Sequence, residues 1–296
     1  MKDRFAAYHP LVNFLFFALV LGFSMALRHP VSQGISLLCA CGYAIEVEGR
    51  KAVGFCLKFC LPMLLVAAVF NPAFSHEGVT ILLYFPTGNP LTLESILYGL
   101  SAGAMIVTVM VWFLNFNRVM TSDKFIYLFG RIIPALSLVL SMTLRFIPKF
   151  KGQMAQTVDS QRSIGRDISQ GSLWQRTKIA VTVLSIMITW SLENAIETAD
   201  SMKSRGYGLK GRTAFSIYRF DERDKMAMLF LAFCGLYLLC GVMVSAFGFR
   251  YFPDIRCVEL NSVTMSFQVV YCILCMMPVA IHRAEERAWK AMHSNL

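Results

Sequence analysis

Apolar residues gather into long runs rather than alternating with polar ones, and those runs set the architecture. Residues 11–27 (L-V-N-F-L-F-F-A-L-V-L-G-F-S-M-A-L), 30–45, 53–70 and 95–117 form an early group, and 225–247 and 262–281 a late one. A bilayer core takes about 20 mostly apolar residues per helix, with about 17 as a lower limit. The pattern therefore predicts an all-α, polytopic membrane protein of about six transmembrane helices. Between the two groups, residues 118–224 are too long for a connection and too apolar for a disordered linker. They are expected to form a helical cytoplasmic domain, with 1–117 and 225–296 as the N- and C-terminal transmembrane parts. Inside it, residues 132–148 (I-I-P-A-L-S-L-V-L-S-M-T-L-R-F-I-P) are apolar and bounded by Pro134 and Pro148, with Ser137, Ser141 and Arg145 repeating on one helix face. A second apolar piece covers 179–192. Both are read as amphipathic helices along the inner membrane surface or under a partner's helices. They are short for spans, and crossing would carry Lys149, Lys151, Arg162, Arg166, Arg176 and Lys178 outside. A further helix is predicted over 192–205, with Glu193 and Glu197, and Ala195 and Ala199, four apart. Gly206 stands where a helix C-terminus takes a left-handed residue.

Composition and charge sharpen this picture. Of 296 residues, 56% are hydrophobic and 16% charged, and the mean hydropathy is +0.56, which excludes a water-soluble fold of this length. The first apolar run has no small-residue cleavage site after it, so the chain is expected to insert whole. The formal charge of +10 sits between the apolar runs, so it speaks of membrane orientation rather than nucleic acid. Residues 71–93 contain no Lys or Arg and are expected outside. Residues 118–225 hold 17 of the 28 basic residues against 9 acidic ones and are expected in the cytoplasm. Six spans threaded through these anchors place both termini in the cytoplasm and leave only Arg28, Arg250 and Arg256 outside.

The chemistry-bearing residues are sparse. Eight of nine cysteines lie in apolar runs and read as packing residues, Cys272 and Cys275 included despite their redox-like spacing, while Cys257 lies in a polar loop. There is no G-x-x-x-x-G-K-[ST], so the chain has no phosphate cradle of its own. H-E-x-x-H and G-x-S-x-G are also missing, and the five histidines lack ligand spacing. Apart from Lys58 and Lys225 near their ends, the spans hold almost no ionisable residue. That weakens the alternative reading, a stand-alone secondary transporter or channel, which would need intramembrane polar groups and inverted repeats. Ser95, Gly99 and Gly103 make a small-residue face on the fourth span, suited to close helix packing.

Two segments of the central region look alike: S-Q-R-S-I-G-R-D at 160–167 and A-D-S-M-K-S-R-G-Y-G at 199–208. Each is a helical stretch ending in a basic residue beside a glycine, and a helical hairpin would bring the two together as neighbouring tips. With N-P-A-F at 71–74 and L-R-F-I-P-K-F at 144–150, these motifs resemble the transmembrane T component of energy-coupling factor transporters, the EcfT/CbiQ family. In that family both coupling segments end in Ala-Arg-Gly or a near variant, and each arginine docks on one of two cytoplasmic ABC ATPase subunits. Arg205 and Gly206 match, with Ser204 for the alanine and Tyr207 following. In the first motif, aligning Gln161 and Gly165 puts Ser163 at the alanine and Ile164 at the arginine. Either Arg162 or Arg166 then substitutes, or that contact is mainly apolar and the two ATPases are engaged unequally.

The resemblance implies a non-catalytic scaffold and coupling subunit of an ATP-driven importer. It would pass motion of the two ATPases to a small membrane-embedded substrate-binding S component, for uptake of a vitamin or a transition-metal ion. ATPase docking would fall to Gln161, Arg162, Ser163, Ile164, Gly165, Arg166, Ser204, Arg205, Gly206 and Tyr207. Leu136, Leu140, Leu144, Ile147, Val183 and Met187 would face the S component. The chain itself would bind no metal, cofactor or nucleic acid, ATP and Mg being used by its partners in a bacterial or archaeal plasma membrane.

Overall fold

A computed structural model describes residues 4–74, 78–84, 90–130, 133–207, 209, 218–257 and 261–294. The start of the apolar stretch at 132, His76, and Gly208 of the second motif lie outside the described residues. The chain is an all-α, multi-pass membrane protein that divides into two compact units, Met1–Phe125 with Tyr218–Leu296, and Ile126–Ile217.

The first unit opens with a 3₁₀ turn, Phe5–Ala7, followed by α1 (Pro10–Ala26) and α2 (Pro30–Glu48). Both helices begin with proline at the first helical position, where its missing N–H is no loss. Both are capped by the preceding histidine: His9 Nδ1 accepts from Leu11 N at 3.2 Å and His29 Nδ1 from Val31 N at 3.3 Å. Helix α3 (Arg50–Phe55) continues through a π-turn at Cys56–Cys60 into α4 (Leu61–Phe74). A small antiparallel pair, β1 (Ile81–Tyr84) and β2 (Pro90–Thr92), precedes α5 (Leu93–Val119). Helix α6 (Ser122–Gly130) leads into the second unit, built on α7 (Pro134–Ser163) and α8 (Leu173–Ser204). The chain then returns to the first unit as α9 (Glu222–Met243), a two-residue pair β3 (Phe249–Arg250) and β4 (Arg256–Cys257), and α10 (Ser262–Ser294).

The core of the first unit is aromatic where α1, α2 and α5 meet. Phe16 lies edge-on to Phe5 and Phe17 at 5.1 Å and to Trp112 at 5.8 Å, a geometry favoured by the ring quadrupoles. Two polar side chains inside are paired across helices: Trp112 Nε1 donates to Ser36 Oγ at 3.0 Å and Asn115 Nδ2 to the Ala40 carbonyl at 3.1 Å. The small-residue face of α5 receives α4. A Cβ on Gly99 would stand 2.8 Å from the Ala67 carbonyl, and one on Gly103 2.7 Å from Ala67 Cβ, so only glycine permits this approach.

Among the described residues, five helical stretches are long and apolar enough to cross a membrane: Arg50–Phe74, Leu93–Val119, Leu173–Ser204, Glu222–Met243 and Ser262–Arg287. Four coincide with expected spans. Of the other two expected spans, α1 is a shorter apolar helix of 17 residues. Helix α2 is not among the five and buries Ser32, Gln33 and Ser36 along its length. Leu173–Ser204 is a correction: the pieces read as separate at 179–192 and 192–205 are one 32-residue helix, because no glycine or proline interrupts them and the apolar periodicity runs on through Leu192 and Ile196. Pro148 is likewise not a boundary. It lies inside the 30-residue α7, where it removes one backbone hydrogen bond without ending the helix.

Candidate docking tips on two long helices

Helices α7 and α8 pack antiparallel. Lys149 Nζ donates to Asn194 Oδ1 at 2.5 Å and lies 5.5 Å from the Trp190 ring centre. Phe150 meets Trp190 edge-on at 5.3 Å, and the Thr157 hydroxyl lies 3.8 Å from Met187 Sδ. Numbers rise along one helix as they fall along the other. Two C-termini on antiparallel helices stand at opposite ends of the pair, so the hairpin does not make the motifs neighbours, as the sequence had suggested. Arg205 shares a groove of about 510 Å³ with Met142 and Arg145 near the start of α7. At 1.5 Å per residue, Ile164 lies about 30 Å further along that helix axis.

The two tips have the same backbone. At the end of α7, Arg166 N donates to the Gln161 carbonyl at 3.0 Å and Gly165 N to Arg162 at 3.0 Å, with Gly165 at φ +81°. At the end of α8, Tyr207 N donates to Met202 and Gly206 N to Lys203, both at 3.0 Å, with Gly206 at φ +74°. This is the paired bonding of a Schellman turn, which satisfies the last carbonyls of a helix and needs a left-handed residue at the glycine. Glycine takes that conformation without the clash a Cβ would bring. Position for position, Gln161 corresponds to Met202, Arg162 to Lys203, Ser163 to Ser204, Ile164 to Arg205, Gly165 to Gly206 and Arg166 to Tyr207. Ile164 is thus the structural counterpart of Arg205.

Around the first tip the chain is tied down by residues the motif comparison did not single out. Asp167 pairs with Arg162 at 3.2 Å and accepts from Ser169 N and Oγ at 2.9 and 2.7 Å. These Ser169 bonds, with Arg162 adding, hold the Asp167 carboxyl below its ordinary range. The Asp-x-Ser spacing is an Asx-turn signal readable in the sequence. Arg176 Nε donates to the Ile168 carbonyl at 2.8 Å. Ser172 and Gln175 then form the reciprocal capping box that starts α8.

Of the expected docking residues, Arg162, Ser163, Ile164, Gly165, Arg166, Ser204, Arg205 and Tyr207 are exposed, and Gln161 and Gly206 partly so. Of the six apolar positions expected to face a partner, Leu136, Leu140 and Ile147 are exposed and Leu144 half-buried. Val183 and Met187 differ from that expectation. They are 3% and 9% exposed, Met187 being used against Thr157 on α7, so the chain itself consumes them. Among the described residues, no group of three or more His, Cys, Asp or Glu is placed to hold a metal ion.

No protein-family model matches the chain. Curated relatives do. The chain is 29% identical over 214 residues to the energy-coupling factor transporter transmembrane protein EcfT 1 of Listeria monocytogenes serotype 1/2a, covering 66% of this chain and 78% of that one. It is 33% identical over 109 residues to the EcfT of Lactobacillus helveticus, 36% of this chain and 39% of the relative. With the EcfT of Bacillus selenitireducens it shares 36% over 102 residues, 34% and 38% of the two chains. It therefore spans most of the Listeria protein but about two fifths of the other two. By its helices and these relatives, the chain is a multi-pass membrane protein that resembles the transmembrane T component of energy-coupling factor transporters.

Proposed function

We propose that this chain is the scaffold and coupling subunit of an ATP-driven importer, taking up ATP-driven movement of two cytoplasmic ATPases and passing it to a membrane-embedded substrate-binding S component. The observation that carries this reading is the pair of exposed helix ends with one shared backbone geometry, on the two longest helices of a separate unit, in a chain resembling T components. A helix end closed by a Schellman turn is a rigid peg. It exposes one or two side chains and satisfies carbonyls of the last turn that the helix itself leaves open. Two such pegs at opposite ends of an antiparallel pair are spaced to engage two bodies rather than one. An arginine such as Arg205 entering a pocket with a carboxylate forms a charge-assisted, bidentate bond, and force applied at either peg is transmitted along a stiff helix. The exposed Leu136, Leu140 and Ile147 of α7 offer an apolar surface on which the substrate-binding partner slides or tilts when the ATPases close. No residue of this chain is assigned chemistry. ATP and Mg belong to the ATPases, and selection of a vitamin or a transition-metal ion belongs to the S component.

The test is a pull-down of the detergent-solubilised protein with the ABC ATPases of its own host, comparing wild type with Arg205→Ala and Arg205→Glu. Binding and ATP-dependent uptake are expected to fall together, with charge reversal the more severe and a loss of ~2 kcal/mol or more for a buried arginine anchor. Survival of both activities in Arg205→Glu would leave Arg205 a helix cap and nothing more.

A further inference from the structure

The two tips share a backbone and differ in what they present. In matching order, one reads Gln-Arg-Ser-Ile-Gly-Arg over 161–166 and the other Met-Lys-Ser-Arg-Gly-Tyr over 202–207. Both have a basic residue and then a serine in the last turn. At the position just before the glycine, one has isoleucine and the other arginine. Ile164 is 64% exposed, a branched apolar side chain on a polar helix end where the other tip carries a charge.

Neither neighbouring arginine restores the missing pattern. Arg162 corresponds to Lys203, not Arg205, and its guanidinium is already paired with Asp167, which the two bonds from Ser169 anchor in turn. Withdrawing Arg162 to serve a partner would break that ion pair. Arg166 lies one residue beyond the glycine, in the place of Tyr207, on the other side of the turn from the cap position. Charge at the first tip is therefore displaced rather than lost, and an apolar group takes the lead position.

We infer that the tips are chemically inequivalent docking elements: the Arg205 tip fits a pocket closing on a carboxylate, and the Ile164 tip fits an apolar pocket with an acidic group at its rim facing Arg166. This rests on the docking reading above and adds the chemistry of each partner surface. Because the tips are about 30 Å apart along the helix axis, one pocket cannot serve both. The chain thereby distinguishes its two ATPase positions. Its orientation on an ATPase pair is set by which surface accepts isoleucine. The two contacts must also answer differently to salt, since association steered by a charge such as Arg205 towards a carboxylate weakens as ionic strength rises whereas apolar burial is nearly indifferent to it.

The experiment uses the intact complex of this chain with its host's ABC ATPases, purified in detergent. A photo-crosslinking amino acid is placed at position 164 or at 205, and Ile164→Arg, Arg205→Ile and the double exchange are compared for ATPase co-purification. Crosslinks from both positions to ATPase are expected, that from 205 fading as salt is raised and that from 164 persisting. Ile164→Arg and Arg205→Ile are each expected to weaken capture by about tenfold or more, and the double exchange not to recover it. Ile164→Arg that binds as well as or better than wild type, or crosslinks of equal salt sensitivity, would overturn the inequivalence while leaving docking intact. If wild type captures ATPase but neither 164 nor 205 crosslinks to it, the docking reading itself fails. A melting temperature for Ile164→Arg equal to wild type, expected at so exposed a site, shows that the loss is one of binding.

Discussion

His9 and His29 make the first two helices sensitive to proton concentration through a single lone pair each. Each Nδ1 accepts a hydrogen bond from the backbone two residues on, so the neutral ring is the one that caps. Both rings are largely buried, and desolvation lowers their pKa from 6.5, opposed at His9 by Asp224. A histidine with a depressed folded pKa contributes stability that is complete above its unfolded value of 6.5 and is lost as pH falls through the folded value. The melting temperature in detergent is therefore expected to fall between pH 7 and pH 5. His29→Asn, which keeps a capping oxygen and does not titrate, should flatten part of that decline. A decline unchanged in His29→Asn would exclude this cap as a source. Lys124 is another residue whose role is set by its surroundings. It is buried, and its Nζ donates to the Ala6 carbonyl at 2.5 Å and to Val119 at 3.0 Å, closing the end of α5. Lys124→Met removes that donor and should destabilise the protein by ~1–3 kcal/mol, read as a lower midpoint in thermal unfolding.

At the scale of elements, glycine does two unlike jobs. On α5, Gly99 and Gly103 exist for closeness. Gly103→Val would drive a branched side chain into Ala67 and is expected to cost ~1–3 kcal/mol by forcing α4 away, with increased proteolysis between the two helices as the readout. At the tips, Gly165 and Gly206 exist for their positive φ. Gly206→Ala also brings its Cβ to 3.0 Å from Leu209 Cδ1, whereas a Cβ on Gly165 meets open space. Both alanine variants should lose ~1–2 kcal/mol from the turn, Gly206→Ala the more, seen as faster hydrogen exchange at the amides of Gly206 and Tyr207. The tips were legible in the sequence because a glycine after a polar last turn is a local signal. The lengths of α7 and α8 were less so. Pro148 looks like a stop, yet a single missing hydrogen bond is outweighed where the turns on either side hold together through Phe146, Phe150 and Trp190.

For the molecule as a whole, the coupling reading makes function depend on bodies this chain does not contain. Its sequence carries no G-x-x-x-x-G-K-[ST] run, and under that reading its work is mechanical. Proteoliposomes holding the chain alone are expected to hydrolyse no ATP and accumulate no substrate. Addition of ATPases and the substrate-binding partner should restore both, and ATP-independent uptake by the chain alone would favour a stand-alone transporter. Much of the second unit's apolar surface is exposed, including Val181, Leu184, Ile188, Leu192 and Ile196 on α8. A surface of this kind requires lipid or a partner helix beside it.

Local patterns in the sequence determined that the chain is helical and membrane-embedded, that its small-residue face would receive a helix, and that two glycine-closed ends would stand out from the central region. Each depends on residues within a turn or two of one another, or on the total of apolar side chains. Only the tertiary structure decided that α7 and α8 run antiparallel, that the two tips therefore lie far apart, that Val183 and Met187 serve the chain's own packing, and that Ile164 occupies the place of Arg205. Those facts come from which faces of two long helices meet and from hydrogen bonds that close the turns. A periodic apolar pattern does not choose among the faces it offers; packing against a particular neighbour does.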